Sequence, residues 1–448
     1  MKMNSLLIAA IVLAALSGVL YWSNHRKPAE NAVKVSTDAP PKILTLTQAD
    51  ITKVDIKKKS GDEVVLAKDG AGKWQIVAAK PLRADQNEVS TMLSTLSSLS
   101  SERLIEEKTS NLVDYGLAQP SVEVDVTERD NKAQKLLMGD NTPAGNAVYV
   151  ALAGDPRVFT LANYSKTSLD KSAKDLRDKR LLVFEQDKLS VVELSAKKVD
   201  IEFGRNKDQW QIVKPKPLRA DDAKVEELIR KLGDAKMDLG ASDEDQKKAA
   251  AAFSSGSAVA SAKVTDASGT EELQVRKNKE DYYAKSSAVE GVYKVGNDLG
   301  TALDKTVDDF RNKKLFDFGF TDPEKIELHD GTKAYFLTKG GSDWFLADGK
   351  KVDAIGAEGF VEKVRDLAAS KFVDTGFSAA TIDVTATSNG GKRVEKVLIA
   401  KDGDHFVAKR DGEPALYQLD PVVLTGLEKA AEDLKPAVAP KPDTPKKK

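Results

Sequence analysis

Lys73-Trp74-Gln75-Ile76-Val77, followed by Pro81-Leu82-Arg83-Ala84-Asp85, is the stretch that decides how this chain is read. The same order returns as Gln209-Trp210-Gln211-Ile212-Val213 and Pro217-Leu218-Arg219-Ala220-Asp221, with Trp210 standing 136 positions after Trp74. Matching at that density marks tandem copies of one module, and a reading that missed the period would invent a single large domain.

The copies stay aligned beyond the tryptophan. Tyr149, Val158-Phe159-Thr160-Leu161 and Leu176-Arg177-Asp178-Lys179-Arg180-Leu181 reappear as Tyr283, Val292-Tyr293-Lys294-Val295 and Phe310-Arg311-Asn312-Lys313-Lys314-Leu315. A third, diverged and shortened copy carries Asp343-Trp344-Phe345-Leu346, a helix start at Asp353, Asp404-His405-Phe406-Val407 and Leu416-Tyr417-Gln418-Leu419. It has no recognisable Arg-Asp-Lys segment at its end, as expected of a terminal repeat. The reading gives module 1 at 43–186, module 2 at 187–320, module 3 at 321–435 and a disordered Pro/Lys-rich tail at 436–448.

Composition agrees with several modules. The 448 residues hold about three domains at ~150 residues each. Lys+Arg 69 against Asp+Glu 70 gives a net charge of −1, which favours no nucleic-acid partner. The chain has no cysteine, so disulfides, a lipid-modified cysteine, thiol catalysis and cysteine-bound metals are excluded.

Residues 5–22 form an uncharged apolar run ending in Tyr21-Trp22, with His25-Arg26-Lys27 beyond it. Eighteen residues at about 1.5 Å each reach roughly 27 Å, enough to cross a bilayer core. The run is read as an uncleaved anchor within 1–27, in preference to a signal peptide cut near Ala15-Leu16-Ser17. Residues 28–42 then form a polar linker, and the modules lie on the periplasmic side of a bacterial inner membrane.

Within a module the pattern changes period. Val54-Asp55-Ile56, Glu63-Val64-Val65-Leu66 and Trp74 to Val77 alternate as strands. Val89, Met92, Leu93, Leu96 and Leu99 then recur at helical spacing, as do Val225, Leu228, Ile229 and Leu232. Asp85, with Glu88 three residues on, predicts a capping box, and Asp221 and Asp353 hold the matching places. A second strand group follows in each copy, and residues 241–257 predict a helical variation on 106–119. Strands, a helix and strands again give an α+β class: a transmembrane helix, then three tandem repeats with mainly antiparallel sheets, elongated.

Signals for chemistry are thin. His25, His329 and His405 are the only histidines and have no metal-binding spacing. Gly70-Ala71-Gly72-Lys73 lacks the Ser/Thr and first glycine of a phosphate loop and reads as a hairpin turn. Ser168-Leu169-Asp170-Lys171 and Ser195-Ala196-Lys197-Lys198 match S-x-x-K without companion motifs. Asp266-Ala267-Ser268-Gly269 and Asp402-Gly403-Asp404 fall short of a calcium loop. No catalytic, cofactor-binding or metal residue is assigned. Trp74, Trp210 and Trp344 either fill the space between sheet and helix or form stacking platforms; Ile76 and Ile212 share their strand face, which favours the core. Arg83 and Arg219 before the caps, and Arg177 and Arg311 at the module ends, are candidate junction or partner-contact residues.

Together the anchor, the Trp-x-Ile…Pro-Leu-Arg-Ala-Asp stretch, Asp114-Tyr115-Gly116-Leu117…Pro120, Met138-Gly139-Asp140…Tyr149-Val150 and the Leu-Arg-Asp-Lys-Arg-Leu end resemble the bacterial family catalogued as domain of unknown function 4340. The resemblance covers most of residues 43–320 and weakens over the third copy, which lacks the Tyr-Gly-Leu and end segments. Members are often encoded beside an ABC transporter whose subunits resemble those linked to gliding motility. The resemblance implies an accessory role at the transporter's periplasmic side, with its membrane subunits as partners, and no catalytic residues. The alternative is a cell-envelope module that binds glycan or peptide through its repeated aromatic edges.

Overall fold

The computed structural model describes residues 42–77, 81–207, 209–239 and 243–437. The proposed anchor at 5–22, His25 and the linker to residue 41 lie outside them. No helix among the described residues is long and apolar enough to cross a membrane. The chain divides into two compact units, parting between Lys179 and Arg180.

The first unit holds module 1. Strands β1 (Ile51–Lys58), β2 (Glu63–Lys68), β3 (Trp74–Ile76) and β4 (Leu82–Arg83) lead to helix α1 (Gln86–Ser97). Then come β5 (Arg103–Glu106), β6 (Val122–Glu128), β7 (Ala133–Asn141), β8 (Ala147–Leu152) and β9 (Val158–Ala162), and the short helices α2 (Asn163–Leu169) and α3 (Ala173–Leu176). All nine strands form one sheet in the order β4-β3-β2-β1-β6-β7-β8-β9-β5. Every pairing in it is antiparallel. Both strand groups therefore start at the centre, at β1 and β6, and run outward to opposite edges. Alternation decides the faces: Val122, Val124 and Val126 of β6 are buried, whereas the residues between them are half-exposed. Helix α1 presents Val89, Met92, Leu93 and Leu96 to that buried face.

The second unit repeats the plan twice. In module 2, β10 (Val191–Ala196), β11 (Val199–Asn206), β12 (Gln209–Lys214) and β13 (Leu218–Arg219) precede α4 (Asp222–Gly233). After α5 (Asp243–Ser255) come β14 (Ser257–Asp266), β15 (Gly269–Asn278), β16 (Asp281–Ser286), β17 (Val292–Val295) and α6 (Asn297–Leu303). Helix α5 falls on the stretch predicted to be helical. In module 3, β18 (Lys325–Asp330), β19 (Lys333–Gly340) and β20 (Asp343–Leu346) precede α7 (Ala354–Arg365). Strands β21 (Lys371–Val373), β22 (Ile382–Ser388), β23 (Arg393–Asp402), β24 (His405–Arg410), β25 (Leu416–Leu419) and helix α8 (Pro421–Glu432) complete it. The two sheets run β13-β12-β11-β10-β14-β15-β16-β17 and β20-β19-β18-β22-β23-β24-β25-β21. The α+β class with mainly antiparallel sheets is thus the observed one, with one apolar core per module.

Three details depart from the sequence reading. The capping box at Asp85 is only half formed. Its carboxylate accepts from the amides of Asn87 and Glu88, but its own amide donates to Leu176 O at 2.8 Å, so Glu88 has no donor to answer. The module boundaries shift upstream. Leu181, Leu182 and Leu189 are buried in the module 2 core, and Leu315, Phe316 and Phe318 in the module 3 core, as Ile43 and Leu44 are in module 1. The sequence boundaries at 187 and 321 leave Leu181, Leu182, Leu315, Phe316 and Phe318 in the preceding copy, because they follow its Arg177-Asp178-Lys179 or Arg311-Asn312-Lys313 segment. Finally, Pro436 and Ala437 belong to the fold rather than to a tail: Val352 and Pro436 form an antiparallel bridge. Residues 438–448 lie outside the described set.

Candidate functional site

The repeated tryptophans are interior. Trp74, Trp210 and Trp344 expose 7%, 2% and 5% of their surface, which leaves no ring face for a stacking ligand. Each ring also carries a cation: Lys68 at 5.2 Å from the centroid of Trp74, Arg205 at 5.1 Å from Trp210 and Lys339 at 5.4 Å from Trp344. The backbone of the first two is tied to the first turn of the following helix, Trp74 N donating to Gln86 Oε1 and Trp210 N to Asp222 Oδ1. The Trp strand and helix α1 or α4 are therefore locked as one block.

Two hydrogen-bonding devices recur in all three modules, and both lie at the ends. The segment leaving a module forms a two-bond ladder with the residues around the helix cap. Asp85 N donates to Leu176 O and Asp178 N to Arg83 O; Asp221 N to Phe310 O and Asn312 N to Arg219 O; Asp353 N to Lys435 O and Ala437 N to Lys351 O, all within 2.8–2.9 Å. The third module thus keeps the ladder without the Arg-Asp-Lys sequence. Pro436 is tolerated because the ladder uses the amide of Ala437 and the carbonyl of Lys435, never an amide at 436. The segment leading into a module is held in a second way, by a side chain at the start of the hairpin strand. Gln134 accepts from Thr45 N at 3.5 Å and donates to Thr45 O at 2.9 Å. Glu271 accepts from Val183 N at 2.6 Å, and Glu395 from Asp317 N at 2.9 Å.

Within the second unit these devices meet at the junction of modules 2 and 3. Asn312 ends one ladder, and Leu315 N already donates to Leu367 O of module 3. Arg219, from β13, donates to Lys314 O at 2.8 Å and pairs with the Asp317 carboxylate. Asp317 is also held by Arg410 of β24 at 3.0 Å. Arg410 reaches Glu395 at 3.3 Å and Glu413 at 3.0 Å. Tyr417 donates to Glu413 at 3.2 Å and lies 5.4 Å from the Phe372 ring. Arg311 closes the circuit, its guanidinium 3.4 Å from the Phe372 centroid and 2.9 Å from Asp308. Burial pushes the Tyr417 phenol up, so it stays a neutral donor. Most of these groups are largely shielded, Arg410 exposing 13% and Glu395 6% of their side chains, so the circuit has more weight than surface ion pairs. Arg219 and Arg311 thus come together, with partners that the sequence reading did not single out: Asp317, Glu395, Arg410 and Glu413. Arg83 and Arg177 sit in the ladder region of module 1, where Arg83 O accepts from Asp178 and Arg177 bridges Ala84.

The family-like segment of module 1 makes a smaller cluster on the other sheet face. Tyr115 and Tyr149 meet edge to face at 5.0 Å beside Leu117, Ala151 and Val158. A hydrogen bond to Glu106 holds the Tyr115 phenol above its ordinary range. A Cβ at Gly139 would stand 2.1 Å from Tyr115 O, so only glycine lets this turn close onto β7. Gly376 repeats the arrangement in module 3: it has positive φ and faces the Asp402 carboxylate, as Gly116 faces Asp140. The third copy therefore keeps a positive-φ glycine against an aspartate, in Asp374-Thr375-Gly376-Phe377, without the 3-10 turn that Val113–Tyr115 makes in module 1.

The groups screened for chemistry are engaged elsewhere. Asp69 accepts from Ala71 and Lys73 amides, which makes Gly70 to Lys73 a hairpin turn. Ser168 Oγ donates to Tyr164 O, and Ser195 Oγ to Asp200. His329 lies 3.3 Å from Asp383 on β22, and His405 is exposed on β24. Among the described residues no group of three or more His, Asp or Glu is arranged to hold a metal. A hollow of about 460 Å³ beside β1 is lined by Lys58, Asp62, Glu63 and Lys171, with Lys58 paired to Asp170 at 2.7 Å.

Comparison with known proteins gives one match, to the family described as Domain of unknown function (DUF4340), over residues 74–211 and again over 210–387. Each match starts at a tryptophan strand; the first ends in β12 of module 2 and the second in β22 of module 3, past helix α7. No curated protein and no solved structure matches the chain.

Proposed function

The chain belongs to the DUF4340 family, and from that premise we propose that it is a non-enzymatic scaffold, anchored in the bacterial inner membrane by residues 5–22 with its modules in the periplasm. Its role is accessory to an ABC-type transport complex, whose membrane subunits it contacts. The observation that carries the reading is the lead-in and exit ladder repeated in three modules. The most faithfully repeated stretch fastens the exit segment of each module beside its helix cap, which suits a protein whose task is to position surfaces. Buried tryptophans count against the glycan- or peptide-binding alternative, since it needs those rings at the surface.

The test is amine crosslinking of the full-length protein in native membranes, followed by affinity capture and mass spectrometry. ABC transporter subunits joined to module lysines are the expected result. Capture of wall glycan or peptide alone, or of no partner, would overturn the scaffold reading.

A further inference from the structure

Tyr149 and Tyr283 hold one position in modules 1 and 2, opposite Thr160 and Lys294 of the neighbouring strand. Val150 and Ala284, next along, belong to the cores, so both tyrosines lie on the outer sheet face. What covers them differs. In module 1 the ring of Tyr115 stands on Tyr149 at 5.0 Å, with Leu117 and Val158 beside it. In module 3 the position is Val407, opposite Gln418, and a Cβ on Gly376 would stand 3.1 Å from its Cγ2. In module 2 the cover is helix α5, fastened to the sheet by its last turn. Arg276 donates to Phe253 O and Ser254 O at 3.3 Å, and Asn278 to Ala252 O and Ser255 Oγ at 2.9 Å. At the first turns of α5 a hollow of about 410 Å³ remains, lined by Ala249 of the helix and by Tyr283 and Val292 of the sheet.

That volume lies within the range of small-molecule sites. Val292 stands where module 1 has Val158, so the sheet side of the hollow repeats the bed on which Tyr115 lies. Only the ring is missing. Edge-to-face aromatic contact adds attraction beyond the area it buries. Tyr115 also shows the polar partner such a ring takes here, since its hydroxyl bonds to Glu106. Asp238 and Asp245 line the hollow with carboxylates of that kind, each with several acceptor positions. Lys248 and Lys294 balance their charge, so the lining suits a neutral ligand better than an ion.

We propose that the hollow under α5 binds a neutral phenolic ring, which takes against Tyr283 the place that Tyr115 takes against Tyr149. This goes beyond the scaffold reading and does not depend on it. A free phenol and the tyrosyl side chain of a peptide share this chemistry.

The test places 3-fluorotyrosine at position 283, or at position 149, in the full-length protein in lipid nanodiscs, and follows its 19F resonance during titration with p-cresol. The label at 283 should shift saturably, with half-saturation at about 1 mM as befits a single-ring ligand. The label at 149 should stay in place, because Tyr115 already fills that bed. Ala249→Phe, which fills the hollow, should weaken the response at least tenfold, and cyclohexanol should act at least tenfold more weakly than p-cresol. Tighter binding of N-acetyltyrosinamide than of p-cresol would assign the ring to a peptide, and the reverse to a free phenol. No saturable shift at 283, equal shifts at both labels, or an equal response to cyclohexanol would overturn the site. The cyclohexanol comparison decides even if Ala249→Phe does not fold.

Discussion

Asp317 accepts from an arginine of each module it joins, so its removal leaves two shielded guanidinium groups facing each other. We expect Asp317→Ala to cost about 2 kcal/mol, between the ranges for surface and buried pairs. A double-mutant cycle with Arg219→Ala, read from denaturant midpoints, should give a coupling well above 0.5 kcal/mol; additivity would show that the pair has no energetic weight. Trp210→Ala should cost about 3–5 kcal/mol as an emptied core position. Part of this was legible in the sequence. Arg219 and Arg311 stand out because they repeat, and the tryptophans declare themselves by sharing a strand face with Ile212 and Ile76. Arg410 did not, because it stands where module 2 has Ser286, whose hydroxyl donates instead to Leu181 O. A residue that changes type between copies carries no periodic signal.

Among the elements, the helices after the tryptophan strands were the readable ones, since an apolar stripe behind an aspartate cap is a strong pattern. Asp85→Ala should cost about 1 kcal/mol, the usual value of a cap, measured by thermal unfolding. The short helix α3 opens with a complete capping box, Ser172 and Asp175 bonding reciprocally. The Ser172 hydroxyl and amide hold the Asp175 carboxyl below its ordinary value. Its stabilisation is therefore full above the unfolded value near about 3.9 and is lost as pH falls through the lower folded one. Asp175→Asn should flatten the acid limb of stability against pH below about pH 4; an unchanged limb would show that the box does not matter. Helix α8 carries a usable signal of its own, Asp420 at the cap and Pro421 in the first turn. The lead-in tethers were not legible. They use Gln134, Glu271 and Glu395, different enough in type and spacing that no repeat shows, and the third ladder is made by main-chain groups that sequence does not mark.

At the scale of the whole molecule, the circuit around Asp317 couples two cores that are otherwise separate. Modules 2 and 3 should lose hydrogen-exchange protection together, and Asp317→Ala should split them into two steps; split behaviour in the unaltered protein would argue against the coupling. The absence of cysteine makes orientation simple to establish: Lys132→Cys, in the exposed turn between β6 and β7, should react with a membrane-impermeant maleimide added from the periplasmic side. Protection until the cells are lysed would reverse the proposed topology. The exit ladder has one more consequence. Because its bonds come from the main chain, almost any sequence can close a module, Leu-Arg-Asp and Lys-Pro-Ala alike. A gene that gains or loses one copy then needs no compensating change in the exit strand itself; what must be matched anew is the side-chain circuit at the following lead-in, Asp317 with Arg219 and Arg410.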